Sequence, residues 1–465
     1  MSVVVLVADG VRPDTLAAAL DSGRLPALAR LRERGGLHTV TSTFPSVTGP
    51  AYAPFLMGRY PGPIGLPALR WFDRARERCT FPDYTRSYVG YQMRELDRDL
   101  ERDAPTMIAL VPESVASLNM IGRGLPPAQR LDRPTLGRAL RAARTHFSGN
   151  VAGWLDIDAE MGDALVAYVR EHAPRFAFAA FTGVDKLSHS AGHEAPMILD
   201  ALGIVDDVAG RLRADADRAG RPLHLWIVSD HGHSPVAHHE DLAGLVRDQG
   251  HRVMAHPWVF RPGAEVAVMV SGNAMAHLYV ALERRERPWW SSLQRRWQPL
   301  VDTLLARESV DLVLLPECDG RCHVVSRVNG RGVIEHAGHR YRYLRTEGDP
   351  LGIGSDVDGD EAAAWDATIE TDYPDAIVQV AHIASARRAG DIILSGARQW
   401  DFRARYEPIP HVSSHGALHR EHMMVPLLVN RPVSSTPRRT VDVFASAMTA
   451  LGKPVPAEVE GRSFV

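Results

Sequence analysis

Cysteine is nearly absent from this chain, with Cys79, Cys318 and Cys322 the only three among 465 residues. So few, so irregularly spaced, build no disulfide framework, and Cys318-x3-Cys322 beside His323 lacks the second ligand pair of a structural zinc knuckle. The fold must be held by its core. Net charge is small as well: 53 Lys and Arg stand against 56 Asp and Glu, a formal −3. Nothing in that balance calls for a nucleic-acid partner or an anionic membrane surface. Long apolar runs are missing too, since no stretch reaches the roughly 18 residues of a membrane span. The first strand begins at the second or third residue with no basic leader before it, so the expectation is a soluble, cytoplasmic protein. No internal repeat is visible.

What the chain does have is a set of short, β-branched apolar runs that stop beside Asp or His. LHLWIVSDHGH at 223–233 is a run of strand length ending in Asp230 and His231. Continuous apolar residues suit a strand buried on both faces of a parallel sheet, and sites gather at the carboxyl edge of such sheets. MSVVVLVADG at the start ends in Asp9, and FAFAAFTGVDKLSHSAGH at 176–193 is followed by Asp185 and His189, four apart. On a helical turn, that spacing puts carboxylate and imidazole on one face. HVSSHGALHREH at 411–422 places His415 just before another buried-looking strand, Met424–Val429.

Taken in order, the chain alternates strands and helices in the doubly wound manner. A helix is expected over 13–34, a short strand over 37–40, and a helix over 51–57 opened by Thr48 as its cap. Residues 61–130, rich in Pro, Gly, Arg and Tyr, read as long loops that form a substrate-side wall. Further expectations are a helix at 134–146, a strand at 151–155, a helix at 162–171, a strand at 176–182 and an amphipathic helix at 198–219. Past 263 the runs AEVAVMV, AHLYVAL, VDLVLL and HVVSRV suggest a smaller, partly antiparallel sheet. The acidic stretch 347–372 contains DVDGDE, which misses the register of a calcium loop and reads as solvated. Arginine-rich helices at 136–147 and 281–300 read as solvated faces, and the second, with Trp289, Trp290 and Trp297, is also a candidate interaction surface. The expected fold is therefore α/β, a largely parallel central sheet flanked by helices with a smaller inserted or added lobe. The expected division is 1–262 for the first part of the core, 263–372 for the lobe and 373–465 for the rest of the core.

Asp9, Asp185, His189, Asp230, His231 and His415 supply a mixed set of carboxylates and imidazoles, which suits Zn²⁺ or Mn²⁺ better than an all-oxygen Ca²⁺ or Mg²⁺ cage. Six ligands are too many for one four-coordinate ion and about right for two, and two ions clamp the attacking and leaving oxygens of a phosphoryl or sulfuryl group. Thr48 is the candidate nucleophile, where the N–H of Gly49 and a helix start favour an anion. Thr43 and Ser46 are its local competitors.

These residues resemble the alkaline phosphatase superfamily, and within it the nucleotide pyrophosphatase/phosphodiesterase branch. The pattern carrying the resemblance is Asp9-Gly10-Val11-Arg12-Pro13-Asp14, Thr48, Gly58-Arg59-Tyr60-Pro61, Asp185-x3-His189, Asp230-His231-Gly232 and His415-Gly416. The resemblance implies an alkaline-phosphatase-like core, one ion held by Asp185, His189 and His415, and another held by Asp9, Asp230 and His231 with Thr48 attacking beside it. Thr43-Phe44-Pro45 imitates the family's wording, but its threonine stands ten residues before the glycine of the next motif, and counting back from Gly58 reaches Thr48. Neither Cys nor Ser stands at 48, which argues against sulfatase chemistry.

The departures bear on substrate. The family's phosphoryl-binding asparagine falls on Leu69, and its two base-packing aromatics fall on Gly49 and Ala180. Tyr52, Trp71, Phe72 and Tyr84 are candidate replacement platforms, and Arg70 or Arg59 a replacement donor. The resulting expectation is a hydrolase of small phosphodiesters or pyrophosphates with weak nucleobase preference. The alternatives are a phosphomonoesterase or phosphonate hydrolase of the same superfamily and, in a different class, a metal-binding protein without activity.

Overall fold

The computed structural model describes every residue except 81, 134–136, 138–139, 142–143, 146–147, 149, 319 and 403–410. Six strands form the sheet that carries the site: β1 Ser2–Ala8, β2 Gly36–Thr41, β3 Ser114–Ser117, β4 Phe176–Phe181, β5 Leu223–Val228 and β6 Met424–Val429. Their spatial order is β2, β6, β5, β1, β4, β3. β1 pairs in parallel with both β4 and β5, and β3 in parallel with β4. β6 runs antiparallel to β5 and to β2, so the sheet is mixed, with its parallel part at the centre and one end.

Alternation along β1 shows why its run is apolar throughout. Val3, Val5 and Val7 enter one core with Tyr52, Phe55, Phe178 and Phe444, while Val4, Leu6 and Ala8 enter another with Leu16, Leu28, Leu202 and Val205. Both faces are covered, as a central parallel strand requires. Helices Pro13–Asp21, Pro26–Arg34 and Ile198–Arg218 cover the second face. Helices Ala53–Met57 and Asp442–Ala450, with the segments between 60 and 121, cover the first.

The second sheet has nine strands, more than the first, with Ile392–Gly396 between Met275–Val280 and Val310–Cys318. It is antiparallel except where Val253–Ala255 joins Val266–Ser271. Its strands come from 253 to 396, a wider span than the lobe expected at 263–372.

Several local expectations differ from the structure. The single helix expected over 13–34 is two, because Gly23 adopts φ +74° and Pro26 opens the second. The strand expected at 151–155 is the first turn of one long helix, Ala152–His172. Residues 61–130 are not all loop: they contain β3, whose four residues are too few to show a period. The helix expected at 134–146 lies largely outside the described residues. Trp290 and Trp297 are buried on the inner face of the helix Trp290–Leu305, so they are core rather than an interaction surface. In the acidic stretch Asp358 pairs with Arg340, and Asp360 caps the helix Glu361–Thr368 by accepting from Ala363 N. Among the described residues no helix is long and apolar enough to cross a membrane.

Candidate metal centre

Three neighbouring parallel strands deliver their following residues to one edge of the sheet. Asp9 follows β1, Asp230 and His231 follow β5, and β4 leads into the helix Gly183–Ala191 that carries Asp185 and His189 one turn apart. His415 arrives from the other end of the sequence, held to residues 272–274 by His415 N to Gly272 O at 3.3 Å and Ala274 N to His415 O at 3.0 Å. All six expected ligands therefore meet at the carboxyl edge.

They meet as two groups. Asp9, Asp230 and His231 form one, and Asp185, His189, His415 and the unexpected His233 form the other, the ligand atoms of each lying within 4.8 Å of one another. In the first, His231 Nε2 is 3.3 Å from Asp9 Oδ1 and 3.6 Å from Asp230 Oδ2. Thr48 Oγ1 reaches both sides of this group, 3.1 Å from His231 Nε2 and 3.3 Å from Asp9 Oδ1. Thr48 does not cap a helix as expected: the turn Pro50–Tyr52 has Gly49 at its cap position and no side-chain cap. The competitors are elsewhere, Ser46 donating to Ala417 O and Thr43 fully buried. Tyr52 donates to Asp9 Oδ2 at 3.3 Å.

The second group is built on proton accounting. His189 Nδ1 lies 2.9 Å from Ser413 O and His415 Nδ1 lies 2.9 Å from Ser46 O, and a carbonyl only accepts. Both imidazoles therefore carry a proton on Nδ1, which turns Nε2 toward the other members of the group. His233 Nδ1 lies 3.1 Å from Ser413 Oγ, which fixes the ring with Nε2 turned to Asp185 Oδ1. These three nitrogens stand 3.2, 3.6 and 3.0 Å from Asp185 Oδ1. Three imidazole nitrogens converging on one carboxylate oxygen make a donor set that a cation among them would satisfy. Orientation of ligating histidines through their second nitrogen is the usual support of metal sites.

The electrostatics agree. Burial and the neighbouring Asp230 and Asp185 carboxylates raise the Asp9 carboxyl well above its usual range, and burial with Asp185 raises Asp230. Burial also acts against the Asp185 carboxylate, but Lys186 at 2.7 Å and His189 outweigh it and hold it well below the usual range. Burial keeps His415 well below its ordinary value and pushes His233 down to about 3, so both rings are neutral at pH 7. Asp230 Oδ2 is buried with no hydrogen-bond partner. A divalent cation in each group would satisfy that oxygen and offset the crowding of carboxylates.

The substrate-side residues separate. Gly49 adopts φ +93°, and a Cβ on it would lie 2.9 Å from Met120 Sδ and 3.4 Å from Leu69 Cδ2, so Gly49, Leu69 and Met120 meet beside Thr48. Arg70 follows Leu69, its backbone N–H donating to Ser271 Oγ at 3.1 Å. Arg59 is instead close enough to Glu460 and His382 to act on both, and neither belongs to the two groups. Of the replacement platforms, Tyr52, Trp71 and Phe72 are buried in the core and only Tyr84 is partly exposed. The three buried rings offer no face to a base, and Arg76 lies over the Tyr84 ring at 4.5 Å.

The profile of the family described as type I phosphodiesterase / nucleotide pyrophosphatase matches residues 3–306. The chain belongs to that family. An uncharacterized pyrophosphatase/phosphodiesterase of Schizosaccharomyces pombe is 26% identical over 246 residues, which span 51% of this chain and 45% of that protein. Among solved structures, phosphonoacetate hydrolase of Sinorhizobium meliloti in complex with phosphonoacetate superposes with a TM-score of 0.59 at 17% identity, covering 97% of this chain and 96% of that one. Murine ectonucleotide pyrophosphatase/phosphodiesterase 5, in an inactive form complexed with AMP, gives 0.58 at 13% identity, covering 98% and 96%. These likenesses show an alkaline-phosphatase-type α/β fold with added strands and helices, and residues 3–306 of the family match contain every ligand of the two groups except His415.

Sequence reasoning missed His233 and Met120, and it read Tyr52 as a platform for a base rather than as a donor to Asp9. His233 stands in the quoted LHLWIVSDHGH, two residues after His231, and that alternation was its only signal. Tyr52 and Met120 leave none, because each acts through a partner remote in sequence.

Proposed function

We propose that the protein is a metal-dependent phosphodiesterase with Thr48 as its nucleophile. The observation that carries this reading is the placement of Thr48 Oγ1 between His231 Nε2 and Asp9 Oδ1 at 3.1 and 3.3 Å, in a buried group of candidate ligands. Two divalent ions, Zn²⁺ by the donor set with Mn²⁺ as the alternative, would neutralise the phosphoryl oxygens and make the threonine hydroxyl and a water more acidic. Asp9, Asp230 and His231 would hold one, and Asp185, His189 and His415 the other.

Thr48 Oγ attacks phosphorus, the bond to the leaving alcohol breaks, and the remaining ester stays on the threonine. Water then cleaves the Thr48–phosphorus ester, releasing a monoester and restoring the hydroxyl. The Gly49 N–H would donate to a non-bridging oxygen, while Leu69 donates nothing and Arg70, the next residue in the chain, is the candidate replacement donor. Loss of one such donor costs on the order of 3 kcal/mol of transition-state stabilisation where it matters, which Arg70 would offset in part.

The test compares kcat/KM for bis-p-nitrophenyl phosphate, p-nitrophenyl phosphate, phosphonoacetate and the p-nitrophenyl ester of thymidine monophosphate at equal metal loading. Diesters are expected to exceed the monoester by at least tenfold, with little gain from the nucleoside. A monoester or phosphonate preferred by that margin overturns the substrate assignment and leaves the metal centre standing.

A further inference from the structure

The wall beside the nucleophile is made of two residues brought together from different parts of the chain. β3 runs parallel to β4, so its carboxyl end reaches the edge where Asp185 is delivered. Leu118, directly after it, takes a left-handed conformation at φ +51°, a strained state for a non-glycine residue that turns the chain sharply. Asn119 then turns inward, buried and donating to Ile121 O at 2.6 Å. Met120 is left partly exposed, with its Sδ and Cε against Gly49 and with Leu69 Cδ2 beside them. Leu69 and Met120 also pack on the main core, which fixes their inner sides and leaves each partly exposed on the outer side.

Gly49 is the residue after the candidate nucleophile, and at φ +93° a side chain there would be strained and would displace the Met120 thioether. In an in-line displacement the leaving group departs opposite the attacking oxygen, so a wall touching the nucleophile's own backbone meets the group that remains on phosphorus. We infer that Leu69 and Met120 form an apolar rest for that retained ester group, and that the preferred substrates are alkyl phosphodiesters. The inference rests on the phosphodiesterase reading above. A thioether and an isobutyl group offer dispersion contact and no hydrogen bonds, so they reward each buried methylene and discriminate against a polar sugar.

The experiment uses full-length, metal-loaded protein and a series of p-nitrophenyl alkyl phosphates, from methyl through ethyl and propyl to butyl. The leaving group is constant, so only the retained group changes. kcat/KM is expected to rise by about three- to fourfold per methylene, the factor for burying one such group. Met120→Ser should flatten the series and Met120→Leu should keep its slope, with Leu69→Ser as the second variant if Met120→Ser does not fold. A flat wild-type series, or an unchanged slope in folded Met120→Ser and Leu69→Ser, overturns the inference while the diesterase reading survives. No turnover of any diester overturns that reading and the inference with it.

Discussion

The imidazoles of His231 and His415 lie stacked, their ring centres 3.6 Å apart and their planes 6° from parallel. One ring belongs to each ligand group, so the two groups share a wall and neither can shift without the other. Two neutral rings tolerate this contact, whereas a proton on either would place a charge against its neighbour; burial and His231 together hold His415 well below its ordinary range.

Metal content follows first. Protein purified without chelator is expected to carry close to two divalent ions per chain by elemental analysis, and the double variant Asp185→Ala, His189→Ala about one fewer. Because of the shared stack, His415→Ala should weaken both ions. A content near zero in added Zn²⁺ and Mn²⁺, with activity intact, would refute the metal reading.

Thr48→Ala should lose several orders of magnitude in kcat, as removal of a nucleophile does, while keeping its metal and its Tm. Thr43→Ala should keep near-normal turnover, since Thr43 is fully buried and its Oγ1 has no hydrogen-bond partner among the described residues, whereas Thr48 Oγ1 contacts His231 and Asp9. The reverse result would move the nucleophile to Thr43.

His233 and Tyr52 each support a candidate ligand, by proximity to Asp185 Oδ1 at 3.0 Å and by a bond to Asp9 Oδ2 at 3.3 Å. His233→Ala is expected to weaken the histidine-rich site by about 10- to 100-fold, measured by competition with a chromophoric chelator. Tyr52→Phe keeps the ring packed on Phe178 and removes only the hydroxyl, so it should weaken the other site by about tenfold. Equal affinities in wild type and either variant would reduce that residue to a packing role.

A pH effect away from the metal centre is expected at His277. Its ring is fully buried, Nδ1 accepting from Gly390 N at 3.0 Å and Nε2 donating to Pro67 O at 3.1 Å. Burial, with Arg287 adding to it, pushes the imidazole down from 6.5 to about 4. The unfolded chain thus takes up its proton first as pH falls. The contribution is fully present above 6.5 and is lost between there and about 4, at up to about 1.4 kcal/mol per pH unit. His277→Gln should therefore lower Tm at pH 7 but make its fall from pH 7 to pH 5 shallower than in wild type. Parallel slopes would exclude this titration.

By itself the sequence singled out the candidate ligands and most of the elements that carry them. β1, β5 and β6 are legible because their apolar runs are uninterrupted, and Asp9, Asp230 and His231 because they stand directly after such runs. Asp185 and His189 are legible because four residues make one helical turn, and the helix Gly183–Ala191 supplies that turn. Counting back from Gly58 singled out Thr48, but not that its hydroxyl leaves the helix start uncapped and turns to Asp9. Tertiary structure alone decided that His233 joins Asp185, that Tyr52 is a buried donor rather than a platform for a base, that Arg59 stands with Glu460, and that Met120 meets Gly49. The physical reason is the same in each case. A local period fixes what a residue's neighbours on its own element are, whereas these contacts depend on the register of parallel strands and on how side chains fill the space between distant segments, which no window of sequence contains.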